Sequence, residues 1–489
     1  MFSSVLLSSV ALLLVGEATA ANFLKNEMAI TPQMGWDNWN AFGCDVSEDL
    51  LLGTARRMVE LGLRDVGYHY VVLDDCWSNG RYANGTLRPD FTKFPNGMAH
   101  VAAQIHALGL GFGMYSDAGT YTCGQYAGSL GYEKQDAQTF ASWGVDYLKY
   151  DNCYNEGQSG TPQVTQARYN TMAKALNATG RQILYSMCNW GEDSPWNWAQ
   201  TIANSWRATG DITDSFDAPD VRCPCTGDEG YDCQLPGFHC SVMNILNKVA
   251  AFPSKAQPGA WNDLDMLEVG NGGMNDEEYK LHMTMWAATK SPLIMGTDIR
   301  DLNAAAFSIY TNPAVLAISQ DPAGSSIVRR WRYYVPQVDQ NGQGEISMWS
   351  GGLAQGDYIV VLLNAGNVET YMNATLADVF VDSGGALSTE AKSSWDLYDL
   401  WANRMPNATA NMILQQNSTV SAANVTSYYY NATATSYADG IRANNTLLMG
   451  TRIGSVDAMG TITASVPRHG VVAYRMRPRG ASLRKRDEL

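Results

Sequence analysis

Short apolar segments alternate with helical patterns along the first 300 residues of this chain. Helical spacing of apolar residues fills stretches such as 51–67, 98–111, 167–180, 239–252 and 276–289. Strands alternating with helices in this way predict a parallel sheet, and eight of them predict a closed (β/α)8 barrel. The eight strand candidates are 31–39, 68–75, 111–117, 146–152, 183–189, 205–211, 260–266 and 291–298.

Nearly all of these segments end in an acid, an amide, a thiol or an aromatic side chain. Helix N-capping explains one or two such residues but not the whole set. In a (β/α)8 barrel the active site lies at the carboxyl ends of the strands, so these side chains are expected to meet there. The acids concerned are Asp74, Asp75, Asp117, Asp151, Asp211 and Asp265.

The sequence changes character after about residue 325. Helical patterns become sparse, and short alternating segments such as 325–335, 357–366 and 461–478 are separated by Gly and Asn turns. This pattern predicts a C-terminal antiparallel β-sandwich domain that packs against the barrel. The expected division is a catalytic barrel at 21–325, a β domain at 326–480 and a basic tail at 481–489.

The residue types at the strand ends favour sugar chemistry. The chain has only six histidines, none at a predicted strand end, and no phosphate-binding glycine motif. A cluster of acids fits either a divalent-metal site or a glycoside hydrolase, which needs two carboxyl groups. Tryptophans near the strand ends, at 36, 39, 77 and 190, favour the glycosidase because aromatic faces stack on pyranose rings.

Several features predict entry into the secretory pathway. Residues 1–20 have the apolar core of a signal peptide and end in Ala-Thr-Ala, and no later segment is long and apolar enough to span a bilayer. The chain ends in Arg-Asp-Glu-Leu, which resembles an endoplasmic-reticulum retrieval signal and leaves retention there as the alternative to secretion. Sequons begin at Asn84, Asn177, Asn373, Asn407, Asn417, Asn424, Asn431 and Asn444, and the crowding of five of them between 407 and 446 predicts a surface region.

The net charge limits the possible partners, and the number of cysteines indicates how many of them are paired. The formal net charge of −15 argues against nucleic acid and anionic membranes, both of which need basic patches. Nine cysteines in an oxidising compartment should mostly pair, and the odd number leaves at least one thiol free.

Six ordered motifs resemble the α-galactosidases of glycoside hydrolase family 27. They are TPQMGWDNWNAFGC, VVLDDCW, GMYSDAGTYTC, YLKYDNC, SWRATGDI and WNDLDMLEVGNGGM. The resemblance covers the barrel, continues into the C-terminal domain, and is closest to secreted fungal enzymes.

The resemblance implies a role for each catalytic acid. Asp151 matches the nucleophile of the family, and Asp211 matches the general acid/base that follows the Trp-Arg motif. Asp214 is a nearby competitor for the second role, but it lies beyond the motif and is expected to be a cap or loop residue. Lys149, on the same strand face as Asp151, is expected to favour the ionised nucleophile.

A galactose-binding subsite is also implied by the resemblance. Trp39 matches the stacking tryptophan, with Trp36 as the alternative, and Trp190 adds bulk where relatives that accept N-acetylgalactosamine have small residues. The expected substrate-binding residues are Trp39, Asp74, Asp75, Tyr115, Cys123, Lys149, Cys188, Trp190, Arg207, Asp265 and Met266.

The resemblance further implies the disulfides Cys44–Cys76 and Cys123–Cys153. Four more cysteines lie in an apparent fungal insertion, where Cys223–Cys240 around Cys225–Cys233 is the expected pairing among three connectivities. Cys188 then remains as the free thiol near the pocket.

Together these observations predict a secreted, retaining α-galactosidase. It would release terminal α-galactose from galacto-oligosaccharides, galactomannans or glycoconjugates, with no cofactor and no metal. The alternatives are an α-N-acetylgalactosaminidase and an inactive sugar-binding protein retained in the endoplasmic reticulum. A homo-oligomeric state is left open by the sequence.

Overall fold

A computed structural model describes residues 26–218, 223, 240–381, 388–415 and 426–479 of the chain. The signal peptide, the C-terminal tail, Cys225, Cys233, Asn417 and Asn424 lie outside these residues. Within them, no helix is long and apolar enough to cross a membrane.

Eight parallel strands form the barrel that the alternation predicts. Neighbouring strands are paired in parallel around the ring, and a further parallel bridge between Leu267 and Met295 closes it. The Leu267 amide donates to the Ile294 carbonyl at 2.7 Å across this closure. The barrel strands are β1 (Met34–Asp37), β2 (Tyr70–Leu73), β5 (Gly111–Asp117), β6 (Tyr147–Asp151), β7 (Leu184–Met187), β8 (Ser205–Arg207), β9 (Trp261–Asp263) and β10 (Leu293–Met295), and a hairpin, β3 (Ser78–Arg81) and β4 (Leu87–Pro89), follows β2.

Helices surround the barrel, and several begin at residues that suit a helix N-terminus. Thr161 caps α5 by accepting from the Val164 amide, with Pro162 at the first helical position. Asn275 and Glu278 form a capping box at the start of α7. The sequence patterns did not single out α4, α8 and α9. The helices are α1 (Trp39–Phe42), α2 (Glu48–Glu60), α3 (Met98–Ala107), α4 (Glu133–Trp143), α5 (Pro162–Ala178), α6 (Val242–Val249), α7 (Asp276–Ala288), α8 (Ala304–Tyr310) and α9 (Pro313–Ser319).

The C-terminal part is an antiparallel sandwich, as predicted. A six-stranded sheet in the order β11-β12-β13-β18-β15-β16 packs on the β14-β17 pair around a core that includes Val360, Met372, Trp395 and Ile462. Its strands are β11 (Val328–Tyr334), β12 (Glu345–Gly352), β13 (Tyr358–Asn364), β14 (Thr370–Thr375), β15 (Trp395–Asp399), β16 (Thr451–Val456), β17 (Thr461–Val466) and β18 (Gly470–Pro478). Four short helices accompany them: α10 (Leu376–Val379), α11 (Asn407–Leu414), α12 (Tyr437–Arg442) and α13 (Thr446–Met449).

The sequon-rich segment does more than form surface. The Tyr429 hydroxyl donates to the Gly62 carbonyl at 2.7 Å, and the Tyr437 hydroxyl donates to the Val66 carbonyl at 2.9 Å, so both buried rings attach this segment to the end of α2. Asn407 and Asn444 are exposed and Asn431 is half-buried. The sequons indicate where glycans can attach. They give no information about the aromatic residues between them, which pack against the barrel.

Candidate active site

A small acid-rich cavity lies at the carboxyl ends of the barrel strands, where the barrel rule places an active site. Its volume is about 70 Å³, and it adjoins an inner chamber of about 20 Å³ within the barrel. The outer cavity is lined by Trp39, Asn40, Asp74, Asp75, Tyr115, Cys123, Lys149, Asp151, Arg207, Asp211, Ile212, Asp265 and Met266. Cys188 lines the inner chamber together with Asp37, Asp263 and other residues.

Asp151 is the last residue of β6, and its carboxyl group is fixed by two hydrogen bonds. The Tyr115 hydroxyl donates to Oδ2 at 2.9 Å, and the Asn152 amide donates to Oδ1 at 2.9 Å. Burial raises the pKa of Asp151 to about 7; Lys149 and the Tyr115 hydroxyl lower it, and the charge of Asp211 raises it further. Lys149 thus lowers the pKa of Asp151, as the sequence predicts, but burial raises that pKa by more.

The chain behind Asp151 is held by side chains from α5. The Tyr169 hydroxyl donates to the Asp151 carbonyl at 2.9 Å, and Arg168 donates to the Asn152 side-chain carbonyl at 2.5 Å. Arg168 also donates to the Ala118 carbonyl at 3.0 Å, which ties the β5 and β6 loops together. These buried contacts fix the strand end from the side opposite to the cavity.

A disulfide fixes the same strand end from above. Cys123 is bonded to Cys153, two residues after Asp151, and the Cys153 amide donates to Asp117 at 3.1 Å. A Cβ added to Gly119 would lie 1.9 Å from the Cys153 carbonyl oxygen, so only glycine allows the two loops to approach this closely. Asp117 itself does not line the cavity.

Two acids that follow β2 are held in fixed orientations by neighbouring groups. Lys149 Nζ lies 2.5 Å from Asp74 Oδ2, so this lysine pairs with Asp74 rather than directly with Asp151. Asp75 accepts from the Cys76 amide at 2.6 Å and from the Gly124 amide at 2.7 Å. Both carboxylates thus keep fixed orientations, as sugar-hydroxyl acceptors require.

Asp211 lies on the loop after β8, borders the same cavity and is far more accessible than Asp151. Its carboxylate accepts from Arg207 at 3.0 Å, and its side chain is 44% exposed. Arg207 is buried and also pairs with Asp265 at 2.6 Å, while the Asp265 carboxylate accepts from the Ile212 amide at 2.8 Å. Arg207 therefore balances two acids and positions the loop that carries Asp211.

That loop has a disulfide of its own. Cys240 is bonded to Cys223, and the Cys240 amide donates to the Asp211 carbonyl at 2.7 Å. Cys44 is bonded to Cys76 on the β2 side of the cavity, and Cys188 is a buried free thiol. The expected Cys225–Cys233 bond lies outside the described residues.

The structure separates the tryptophans that the sequence grouped together. Trp39 lines the cavity, whereas Trp36 is fully buried and its indole donates to the Thr297 carbonyl at 2.8 Å. Trp190 is not among the residues that line the outer cavity or the inner chamber, and its contact with the sugar stays a prediction. It has a φ of 56° in a turn whose next residue, Gly191, donates to the Arg207 carbonyl, and this turn buries the ring.

Some residues of the site were not identified from sequence. Asp37 and Asp263 line the inner chamber at the ends of β1 and β9, and both follow the strand-end pattern that identified the other acids. Asn40 lines the outer cavity, one residue after Trp39. Arg168 and Tyr169 gave no signal, because a supporting residue on a helix looks like any other helical residue.

The acids of the cavity do not form a separate metal centre in the described part of the chain. The nearest group of potential ligands is Asp117 with Cys123 and Cys153, and both cysteines are disulfide-bonded and so offer no thiolate. Asp74 and Asp265 already pair with Lys149 and Arg207. An acid-lined barrel mouth in which carboxyl groups from several strand ends border one cavity fits a glycoside hydrolase site.

Comparison with known proteins agrees with a glycoside hydrolase and points to the α-galactosidases among them. The family described as Alpha galactosidase A matches residues 31–223 and 232–321, and the Alpha galactosidase C-terminal beta sandwich domain matches 343–428. An α-galactosidase of Lachancea cidri is 56% identical over 462 residues, which are 94% of this chain and 97% of that protein.

Solved structures give the same result. The α-galactosidase of Saccharomyces cerevisiae superposes with a TM-score of 0.90 at 55% identity, covering 93% of this chain and 99% of that one. A second structure of the yeast enzyme, with raffinose, gives the same TM-score of 0.90 at 54% identity over 93% and 99% of the two chains. This chain belongs to the melibiase family of glycoside hydrolases, family 27, which confirms the resemblance of its six motifs.

Proposed function

We propose that this protein is a retaining α-galactosidase, with Asp151 as nucleophile and Asp211 as general acid/base. The observation that carries the proposal is that the two carboxyl groups border one cavity, one of them buried and fixed and the other accessible. Retaining enzymes hold these groups about 5–5.5 Å apart, so that one attacks while the other protonates. Burial is the main cause of the raised pKa of Asp151, and the charge of Asp211 raises it further, so the two groups are close enough to interact.

In the first step Asp151 attacks the anomeric carbon while Asp211 gives its proton to the glycosidic oxygen. The bond from the anomeric carbon to the leaving oxygen breaks, and a covalent β-galactosyl ester of Asp151 forms. The Tyr115 hydroxyl and the Asn152 amide hold the carboxylate so that its attacking oxygen needs no reorientation.

In the second step the ionised Asp211 takes a proton from water, which attacks the same carbon and displaces Asp151. Two inversions give α-galactose, the starting configuration. Asp211 leaves the first step ionised, as the second step requires, and its half-exposed side chain allows the attacking water to reach it.

The charge arrangement also supports these roles. Burial and the neighbouring charge of Asp211 both oppose ionisation of Asp151. When Asp211 carries the proton that the general acid needs, that opposing charge disappears and Asp151 ionises more readily. Lys149 lowers the pKa of Asp151 and so favours the ionised form that a nucleophile needs.

We further propose that the cavity binds a terminal α-galactose through the predicted substrate-binding residues, with Trp190 limiting the space beside the sugar. Trp39 would stack on the sugar, Asp74 and Asp75 would accept its distal hydroxyls, and Lys149 and Arg207 would bind the others. The solved relative with raffinose supports galacto-oligosaccharide substrates, and galactomannan side chains and glycoconjugates present the same terminal sugar. The sibling alternative is an α-N-acetylgalactosaminidase, which needs space for an acetamide group.

Hydrolysis of matched aryl glycosides tests the assignment. We expect rapid turnover of p-nitrophenyl α-galactoside, little turnover of the α-N-acetylgalactosaminide, and no loss of activity in EDTA. Proton NMR during melibiose hydrolysis should show α-galactose before mutarotation. Preference for the acetamido sugar would establish the sibling activity, and inertness towards both would favour the retained sugar-binding protein.

The location and organisation of the chain are proposed on the sequence evidence. We propose removal of residues 1–20, secretion, a barrel at 21–325, a β domain at 326–480, and glycans on the accessible sequons. Retention through the terminal Arg-Asp-Glu-Leu of the 481–489 tail is the alternative location. No nucleic acid, membrane or cofactor is expected as a partner, and a homo-oligomer is left open.

A further inference from the structure

A second cluster of ionisable side chains lies far from the sugar cavity, between the barrel and the sandwich. Asp217 follows β8 and Glu278 lies in α7, so both belong to the barrel. Asp339 lies in the β11–β12 connection and His469 in the β17–β18 turn, so both belong to the sandwich. All four are at least nine-tenths buried.

Three atoms of this cluster face one another, and none of them accepts a hydrogen bond from an N–H or O–H donor in the described residues. They are Asp217 Oδ2, Asp339 Oδ2 and His469 Nε2, and all three lie within 4.8 Å of one another. The Asp339 oxygen and the His469 nitrogen are 3.9 Å apart. The two carboxyl groups are close enough to share a proton between them. Buried polar atoms are almost always paired, so these three atoms need either a proton shared between the two carboxyl groups or a cation that all three contact.

The remaining polar atoms of the same side chains are all held. Asp217 Oδ1 accepts from the Asn341 side-chain amide at 3.1 Å, and Asp339 Oδ1 accepts from the Asn341 and Gln343 backbone amides at 2.8 and 3.0 Å. Each carboxylate thus has one fixed oxygen and one oxygen left for the shared point.

His469, like the two aspartates, has one ring nitrogen held by a partner and the other directed at the shared point. Its Nδ1 lies 2.7 Å from Glu278 Oε1, and its ring stacks on Phe216 with 4.5 Å between centroids. With the proton on Nδ1 donated to Glu278, Nε2 presents its lone pair to the two aspartates. A carboxylate that orients a histidine in this manner is the usual support for a metal-binding imidazole.

We propose that Asp217, Asp339 and His469 bind a divalent cation of the zinc type, which links the barrel to the sandwich. Metal–oxygen and metal–nitrogen bonds of about 2.0–2.2 Å allow one ion to contact ligand atoms 3.9 Å apart. Two carboxylates and one imidazole suit Zn²⁺ or Mn²⁺ better than Ca²⁺ or Mg²⁺, which prefer oxygen ligands alone.

A cation also resolves the charge of the cluster. Asp217, Asp339 and Glu278 would bring three negative charges into a buried site, and His469 is the only basic group within salt-bridge distance of them in the described residues. A cavity of about 140 Å³ borders Asp217 and the 342–345 turn, which gives an ion access. The proposal departs from the expectation, drawn from the sequence, that the protein holds no metal.

The metal-free alternative is a proton shared by the two aspartates. Burial and the neighbouring Asp339 raise the pKa of Asp217 to about 7, so such a proton would be retained near neutrality. The two alternatives differ in what replacement of Asp217 by Asn does, because an amide replaces a protonated carboxyl group well but binds a cation poorly.

Metal content and thermal unfolding of the full-length secreted protein test the proposal. We expect about one equivalent of Zn²⁺ or Mn²⁺ by mass spectrometry after growth with both metals. Removal by EDTA should lower the Tm by about 3 °C, and Zn²⁺ at a hundred times its Kd should restore it. The rate of aryl galactoside hydrolysis at 25 °C should not change, because the cluster does not line the sugar cavity.

Two variants and one control locate the ion. Asp217→Asn and Asp339→Asn should each lose the metal and the Tm response to EDTA. Asp276→Asn removes a different barrel–sandwich ion pair, with Arg404, and should keep both. Metal below a tenth of an equivalent with no Tm response in the wild type overturns the proposal, as does metal that stays bound in both cluster variants.

Discussion

The two walls of the sugar cavity are built in opposite ways. Asp151 ends a barrel strand, is buried, and is held through Tyr115, Tyr169 and the Cys123–Cys153 disulfide. Asp211 lies on a loop beyond its strand, and its side chain is nearly half exposed. The nucleophile wall is thus a rigid part of the barrel, whereas the acid/base wall extends from it.

This difference follows from what each carboxyl group must do. A nucleophile has to meet one carbon atom at one angle, so fixing it in advance removes an entropic cost from the reaction. A general acid/base must lose and regain a proton and admit water, which a sealed site would prevent. The variants below probe each wall in turn.

The largest effect is expected at the nucleophile. Asp151→Ala should lower kcat by roughly 10⁵-fold, because no other group can form the covalent intermediate. Azide should enter the space left by the side chain and give β-galactosyl azide, the inverted product, which NMR identifies. Recovery of the α-azide would contradict this role.

The acid/base wall should give a smaller loss that depends on the leaving group. Asp211→Ala should slow raffinose hydrolysis by about 10²–10⁴-fold, but cleavage of an aryl galactoside, whose leaving group needs no proton, much less. Azide should here attack the galactosyl-enzyme and give the retained α-azide.

Asp214→Asn is the matched control for Asp211. Asp214 lies on the same loop and accepts from the Tyr279 hydroxyl at 2.9 Å, so it already has a structural partner. We expect it to show no dependence on the leaving group. A loss on raffinose alone would make Asp214 the acid/base.

A moderate effect is expected from the hydrogen bond to the nucleophile. The Tyr115 hydroxyl lowers the pKa of Asp151, and the enzyme needs ionised Asp151, so kcat/KM falls as the pH drops below that pKa. Tyr115→Phe should therefore move the acidic limb of the kcat/KM profile upward by about one pH unit.

Tyr150→Phe provides the control, because Tyr150 lies next to Asp151 on strand β6. The Tyr150 hydroxyl is buried without a hydrogen-bond partner in the described structure, so its removal should leave the pH profile in place. Equal shifts in both variants would show that Tyr115 acts only through packing.

The smallest effect is expected from the disulfide beside Asp211. Replacing Cys223 and Cys240 by serine should lower kcat a few-fold on raffinose and less on an aryl galactoside, because the Cys240 amide holds the Asp211 backbone. The corresponding Cys123/Cys153 variant should lose activity on both substrates and lower the free energy of unfolding by about 3 kcal/mol. Identical substrate profiles for the two variants would show that the walls do not differ.

The sequence predicted the strand residues around Asp151 but not the helix residues that hold them in place. Asp151 and Tyr115 lie in strand motifs whose ends must meet in a barrel. Arg168 and Tyr169 approach from a helix, and a helical pattern does not show which of its polar residues will meet a distant loop.

The sequence alone determined the barrel, the sandwich, the edge of the barrel that holds the site, and the family. These follow from local periodicity and from short motifs of consecutive residues. Only the tertiary structure decided that Lys149 pairs with Asp74, that Trp36 is buried while Trp39 lines the cavity, and that His469 meets Asp217. Those partners are brought together by packing between segments far apart in sequence, where a shift of a few ångströms changes which polar atoms meet.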